Sequence, residues 1–146
     1  MSHFRANMLF SSKQFGFIKG RSTTPQLLQI LDKWTECLEH GGQIDVIYTD
    51  LEKAFDKVPY KRLICKLHSY GSHKDIVKWL EAFLTNRKQR VRINDTFSSW
   101  AEVISGIPQG SVLGPVLFII YFNNLVECFS SGTDIFLFAD DAKLFS

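Results

Sequence analysis

The sequence predicts an α+β fold in which a small antiparallel sheet packs on helices, and three observations predict it. Apolar residues recur at helical spacing through much of the chain, and a β-branched run stands between two such stretches. Two turn-centred hairpins follow nearer the end. No internal repeat, low-complexity segment or linker separates these elements, so one α+β unit is expected.

Residues 1–19 carry no clear periodicity. Thr24 and Pro25 then form an N-cap and first-turn pair, followed at helical spacing by Leu27, Leu28, Leu31, Trp34 and Leu38. Gly41 and Gly42 end that helix. The run Ile44 to Asp50 reads as a strand, and apolar residues on both of its faces predict a central position covered by helices. A carboxylate buried at its carboxyl end would be costly, so Asp50 calls for a partner. A second helix spans Tyr60 to Ser69, with Leu63, Ile64 and Leu67 on one face and Gly71 as its stop. Ser72 caps a third, in which Ile76, Val77, Leu80, Phe83 and Leu84 repeat at helical spacing. Lys88 to Asn94 and Phe97 to Ile104 flank an Asn94-Asp95 turn and read as a hairpin. The Gly- and Ser-containing stretch 105–111 is a loop by composition. It feeds a long apolar helix over about Val112 to Phe129, and a closing hairpin with Asp140 and Asp141 at its tip follows.

Composition narrows the function classes. A chain of 146 residues with 45% hydrophobic and 22% charged residues is globular and about one domain in size. Its 13 Phe predict an aromatic-rich core. A formal charge of +2 does not by itself argue nucleic-acid binding; a local basic cluster is needed. Cys37, Cys65 and Cys128 are odd in number and scattered, which suits neither a zinc site nor a disulfide framework and predicts a reducing, intracellular setting. Residues 1–12 hold no apolar core of signal-peptide length. The longest apolar run, Val112 to Phe122, contains Gly114 and Pro115 and is too short to cross a bilayer, so no membrane partner is expected.

The chemistry concentrates on carboxylates. Asp140 and Asp141 suit a solvated turn, but a third carboxylate beside them would make a cation site, since clustered anions repel unless a cation lies between them. If the strand ending at Asp50 pairs with the closing hairpin, Asp50, Asp140 and Asp141 converge. Such an oxygen cluster suits Mg²⁺ or Mn²⁺ rather than zinc. Lys88, Arg90 and Arg92 alternate along one strand and would form a basic stripe able to follow a nucleic-acid backbone, or a charged guard on an edge strand. Lys19 and Arg21 are further candidates for phosphate contact, and equally fit a charged loop before the first helix.

Four blocks in order then carry a family resemblance: Gln14-Phe15-Gly16-Phe17-Ile18-Lys19-Gly20-Arg21-Ser22-Thr23, Asp50-Leu51-Glu52-Lys53-Ala54-Phe55-Asp56-Lys57-Val58-Pro59, Ser105-Gly106-Ile107-Pro108-Gln109-Gly110-Ser111-Val112-Leu113-Gly114-Pro115 and Phe138-Ala139-Asp140-Asp141. Together they resemble the reverse transcriptase domain of non-long-terminal-repeat (LINE-type) retrotransposons, from about Gln14 onward. The resemblance implies a right-hand polymerase palm with partial fingers. Residues of about 1–43 would form the fingers-side helix segment, and 44–146 the palm core. It implies an RNA-directed DNA polymerase that extends a primer 3′-hydroxyl with deoxynucleoside triphosphates on an RNA template, using two Mg²⁺ ions. Asp50, Asp140 and Asp141 would be catalytic metal ligands, with the Leu51 carbonyl assisting. Phe55 matches the family's sugar gate, where a bulky ring excludes a ribose 2′-hydroxyl; it also fits a core aromatic. Gln109 and Gly110 match the positions that meet the incoming nucleotide, and also fit a plain loop before a helix.

The resemblance departs from the family in extent. The family's domain is longer than 146 residues, and upstream fingers segments and the thumb have no counterpart in this sequence. Asn124 stands where many relatives carry Asp. An excerpt of a polymerase is therefore expected. The alternative is an inactive retrotransposon-derived remnant that binds nucleic acid weakly; a nucleotide cyclase is a third reading, against which the Gln109 loop argues.

Overall fold

A computed structural model describes residues 9–129 and 132–146. Residues 1–8, part of the stretch without periodicity, lie outside the described residues. The single unit expected from the sequence divides into two compact units: residues up to 52 with 118–146, and residues 53–117.

The first unit is built on a three-stranded antiparallel sheet. Its strands are β1 (Val46–Thr49), β6 (Asp134–Phe138) and β7 (Asp141–Phe145), in the order β1-β7-β6. Alternation sorts the side chains of β6 and β7 into two cores. Phe136 and Phe145 pack with Phe15 and with Ile30 of helix α1 (Thr23–Glu39), while Trp34, Ile44, Val46 and Phe138 close around them. On the opposite face Ile135, Leu137, Ala142 and Leu144 pack against Leu125 and Val126 of the short 3₁₀ helix Asn123–Cys128. The outer edge of β6 is covered by residues 13–15: the Phe15 amide donates to the Leu137 carbonyl (2.8 Å) and the Leu137 amide to the Lys13 carbonyl (2.9 Å). At the start of β6, Asp134 accepts from Lys13 Nζ (3.0 Å) and from Lys33 Nζ, tying α1 and the 13–15 segment to the sheet.

Three expectations for this unit are corrected. Helix α1 opens at Thr23 behind Ser22, which makes no side-chain cap bond. Pro25 falls in the first turn, where a missing amide costs nothing. The helix buries Gln26 and Ile30, whereas Leu27, Leu28, Leu31 and Leu38 face outward, each about half exposed. The apolar arc is wider than the face the sheet covers, and helical spacing alone does not say which part is covered. Strand β1 is a sheet edge rather than a central strand, with Ile47 and Tyr48 60% and 65% exposed. Its β-branched and aromatic composition reflects fitness for extended backbone and not burial of both faces. Asp50, just beyond β1, is exposed, so the expected desolvation cost does not arise.

In the second unit, α2 (Tyr60–Ser69) and α3 (Lys74–Leu84) pack through Leu63, Leu67, Val77, Leu80 and Leu84. Helix α2 has the predicted bounds. Gly71, at φ +69°, follows its end, and the Ser72 amide closes back on the Leu67 carbonyl (3.2 Å). Ser72 is therefore spent on finishing α2, and His73 caps α3 instead, its ring nitrogen accepting from the Asp75 amide (3.4 Å). The predicted hairpin forms as two short ladders, β2 (Arg87–Gln89) with β5 (Ala101–Val103) and β3 (Arg92–Ile93) with β4 (Thr96–Phe97). The ladders are out of step by one residue, so the pairing breaks at residue 90 and residues 99–100, while the Ser98 amide still donates to the Val91 carbonyl (2.9 Å). Arg87 anchors the base of this hairpin, donating to the Leu84 carbonyl (2.9 Å), the Gly106 carbonyl (2.6 Å) and the Tyr60 hydroxyl (2.7 Å).

Helix α4 (Gly114–Phe122) is shorter than the 112–129 predicted. It opens where Ser111 Oγ accepts from the Gly114 amide (2.9 Å), and beyond Phe122 it tightens into the 3₁₀ helix. The change falls at Asn123, whose side chain accepts from the Ser11 amide (2.8 Å) and donates to the Leu9 carbonyl (2.6 Å). An asparagine engaged this way competes with continued α-helix.

Two outcomes follow for stability. Phe136 is 1% exposed and stacked on Phe15 and Phe145, with centroids at 6.0 and 5.7 Å. Phe136→Ala is expected to cost about 3–5 kcal/mol, read as a lower midpoint in urea. Burial raises the Asp134 carboxyl, but the ammonium groups of Lys33 and Lys13 outweigh it and hold the group below its ordinary value. A depressed folded value contributes stability above the unfolded value of about 3.9 and loses it as pH falls through the folded value. Asp134→Asn should therefore destabilise the protein by about 0.5–1 kcal/mol at neutral pH, with the difference from the parent shrinking in thermal melts as pH falls through the depressed folded value.

Candidate functional site

The acidic hairpin is the centre of the first unit. β6 and β7 pair from Asp134↔Phe145 to Phe138↔Asp141, so Ala139 and Asp140 are the two turn residues and Asp141 opens β7. Ala139 takes φ +56° and Asp140 does not, the sign pattern of a type II′ turn, whose twist matches that of the flanking strands. Glycine is the usual occupant of that first position, and an alanine there costs roughly 1–2 kcal/mol. β1 pairs with β7 from Val46↔Phe145 to Thr49↔Ala142. Carried one residue further, this register sets Asp50 level with Asp141, beside the turn that carries Asp140. Cross-strand partners share a sheet face, and Tyr48 and Lys143 are the next pair along it, with Lys143 Nζ 5.9 Å from the Tyr48 ring centroid. Asp50 and Asp141 are exposed and Asp140 is half-buried. Leu51 follows in the turn after β1, half-buried.

The strained turn is braced from the N-terminal side. Gln14, 2% exposed, accepts from the Ala139 amide (3.1 Å) and the Gly16 amide (2.8 Å) through Oε1 and donates to the Ala139 carbonyl (3.4 Å) through Nε2. A methyl group at Gly16 would stand 2.3 Å from the Ala139 nitrogen, so this approach requires glycine. Residues 14–16 carry no periodicity, and reading the chain for elements missed their role. The available signal was their place at the head of the first resemblance block.

The donors at this hairpin are hard carboxylate oxygens, which is the chemistry of Mg²⁺ or Mn²⁺. Among the described residues, no three Asp, Glu, His or Cys side chains are gathered as a group that could hold a metal ion. The donor type and the strand register thus fit such an ion, while the side chains are not drawn in around one point.

In the second unit, the segment with Phe55 and the loop with Gln109 are held together. The Ile107 amide donates to the Phe55 carbonyl (2.9 Å) and the Gly106 amide to the Val58 carbonyl (2.9 Å). Gly106, at φ +88°, passes so close that a Cβ would lie 2.7 Å from the Asp56 carbonyl oxygen. Gln109 Nε2 donates to Asp56 Oδ1 (3.1 Å), and Ser105 Oγ donates to the Asp56 carbonyl (2.7 Å). Asp56, not singled out from sequence, is therefore the residue that holds Gln109. Phe55 is half-buried; Gln109 and Gly110 are exposed, Gly110 at φ +78°.

The basic candidates differ in their surroundings. Arg21 Nη1 donates to the carbonyls of Ser11 (2.7 Å), Ser12 (3.3 Å) and Gln14, its guanidinium lies over Phe15, and burial lowers its pKa. Lys19 is exposed. Lys88, Arg90 and Arg92 are all exposed, and the ladder that would align them is interrupted at Arg90. Arg90 lies 3.8 Å from the Phe97 centroid and 4.5 Å from that of Trp100, a cation held between two exposed aromatic rings that the charge pattern alone did not reveal. No helix among the described residues is long and apolar enough to cross a membrane.

Comparisons with known proteins bear on the whole chain. A family profile described as "Reverse transcriptase (RNA-dependent DNA polymerase)" matches residues 1–146. The probable RNA-directed DNA polymerase from transposon BS of Drosophila melanogaster is 30% identical over 118 residues, 77% of this chain and 12% of that protein. The RNA-directed DNA polymerase from mobile element jockey of Drosophila funebris is 33% identical over 108 residues, 74% of this chain and 12% of that protein. The chain thus spans 12% of the length of these curated relatives. Among solved structures, apo telomerase from Candida tropicalis, truncated from its C-terminal domain, aligns over 92% of this chain and 30% of its own with a TM-score of 0.70. At 12% identity that likeness is one of fold.

Proposed function

Because the chain belongs to the reverse transcriptase (RNA-dependent DNA polymerase) family, we propose that it is the palm-centred part of an RNA-directed DNA polymerase that extends a DNA primer with deoxynucleoside triphosphates on an RNA template. The observation that carries the reading is the β1–β7 register, which sets Asp50 level with Asp141 next to the turn bearing Asp140. In this reading Asp50, Asp140 and Asp141 hold Mg²⁺ or Mn²⁺, with the Leu51 carbonyl assisting. The bound ions supply the charge that activates a primer hydroxyl and neutralises a leaving pyrophosphate.

The remaining roles fall to the chain's own groups. Phe55 rejects a ribose 2′-hydroxyl by steric conflict, its backbone carbonyl fixed by Ile107. Gln109 and Gly110 meet the incoming nucleotide, with Asp56 restraining the Gln109 amide and Gly110 leaving room for close backbone approach. Lys88, Arg90 and Arg92 supply positive charge toward a nucleic-acid backbone, and the Phe97 and Trp100 rings beside Arg90 offer faces on which bases stack. Arg21, whose Nη1 is engaged by carbonyls, contributes through its remaining donors. A second reading, a nucleic-acid-binding remnant without catalysis, draws support from the carboxylates not being gathered around one point.

Primer extension on an RNA template with Mg²⁺ separates the two. The polymerase reading expects extension that Asp140→Asn lowers by about a thousandfold, the scale of several kcal/mol of lost charge stabilisation. A folded chain that binds the duplex but adds no nucleotide supports the remnant. In the active protein, Phe55→Ala is expected to raise ribonucleotide incorporation relative to deoxynucleotide by about tenfold or more, and unchanged selectivity removes the gate.

A further inference from the structure

We propose that Gln14 is a positioning residue for the acidic turn: its buried amide sets the direction in which Asp140 presents its carboxylate, and so sets the affinity of the hairpin for a divalent cation. The inference rests on the reading of Asp50, Asp140 and Asp141 as metal ligands and assigns the group that holds one of them in place.

The geometry is that of a clamp. The Ala139 amide belongs to the peptide plane before that residue, and the Ala139 carbonyl to the plane that leads into Asp140. Gln14 binds both, accepting from the first (3.1 Å) and donating to the second (3.4 Å). One planar side-chain amide thereby fixes the two peptide planes whose relative rotation defines φ and ψ of Ala139. That rotation decides where the Asp140 Cα–Cβ bond points. The clamp matters because Ala139 sits at φ +56°, a conformation an alanine does not hold unaided.

Gln14 is itself immobilised. Its side chain is buried and its Oε1 also accepts from the Gly16 amide (2.8 Å). Its carbonyl accepts from Arg21, and residues 13 and 15 are bonded to Leu137 on β6. Gly16 permits the approach, since any Cβ there would meet the Ala139 nitrogen. A glutamine is the side chain that suits all of this. It has one acceptor and one donor at the required reach and adds no charge beside the acidic turn, whereas a glutamate would lack the donor and place a further anion there.

A group that only stabilises the fold would change the unfolding midpoint and leave cation affinity in the folded protein untouched. The test is therefore Mn²⁺ binding to the chain, followed by the loss of the free-ion electron paramagnetic resonance signal, together with hydrogen exchange at the Ala139 amide. Gln14→Met keeps length and loses all three bonds; Gln14→Asn keeps polarity and falls one methylene short, and serves if the first variant does not fold. Either is expected to weaken Mn²⁺ binding by about 10- to 100-fold, the range for loss of a partner that orients a metal ligand, and to speed Ala139 exchange. Leu67→Ala, destabilised through the core of the second unit, is expected to keep the parent's affinity. A folded Gln14 variant with the parent's Mn²⁺ affinity, in a protein whose binding Asp140→Asn removes, overturns the positioning role and leaves the carboxylate reading standing. Mn²⁺ binding unchanged by Asp140→Asn overturns the carboxylate reading and the positioning role with it.

Discussion

The antiparallel pairing of β1 with β7 is the constraint on which the first unit depends. Asp50 and Asp141 are distant in sequence, and nothing local brings them together; the hydrogen-bonded ladder from Val46↔Phe145 to Thr49↔Ala142 does. Because side chains alternate with a period of two along a strand, a slip of one residue would turn Asp50 to the other face. The register is held from both sides of the sheet. Phe145 is locked between Trp34 and Phe136, and Ala142 and Leu144 face the second core. Two independent apolar cores therefore specify where the carboxylates stand.

The acids themselves sit where burial asks little of them. Asp50 and Asp141 are exposed, so the cost of the arrangement lies in the backbone of the turn, not in desolvation. The turn cost is concentrated at Ala139, and its compensation is remote in sequence: a glutamine and a glycine near the start of the described residues. A polar side chain buried for the sake of a neighbouring backbone is a common answer to an orphaned peptide group, and here it falls beside the acidic turn.

The second unit uses the same device on its own loops. Arg87 donates to the Gly106 carbonyl, Asp56 accepts from Ser105 Oγ at its carbonyl and from Gln109 Nε2 at its carboxylate, and glycine at Gly106 allows the segments that carry Phe55 and Gln109 to touch. The Phe55 segment is thus fixed through its backbone, and the Gln109 side chain is held by the Asp56 carboxylate. The resemblance to non-long-terminal-repeat reverse transcriptases, first visible in four sequence blocks, is borne out by the family profile and by the transposon relatives. All four blocks coincide with the pinned segments: the Gln14 brace, the Phe55–Asp56 turn, the glycine-lined loop it contacts, and the acidic hairpin.

What the sequence determined by itself was local. Helix α2 appeared with its predicted bounds because Leu63 and Leu67 share one face and Gly71 supplies the left-handed stop. The closing hairpin appeared because two apolar runs flank a short polar turn. The α+β class follows from such periodicities, which are properties of neighbouring residues. Tertiary structure decided what periodicity cannot encode. It chose Gln26 and Ile30 of α1 over the adjacent leucines as the covered face, and it made β1 an edge. It also ended α4 at Phe122, where the Asn123 side chain bonds to a distant backbone. Each depends on which surface another part of the chain presents, and that partner is separated in sequence by far more residues than any repeat of two or 3.6 can span.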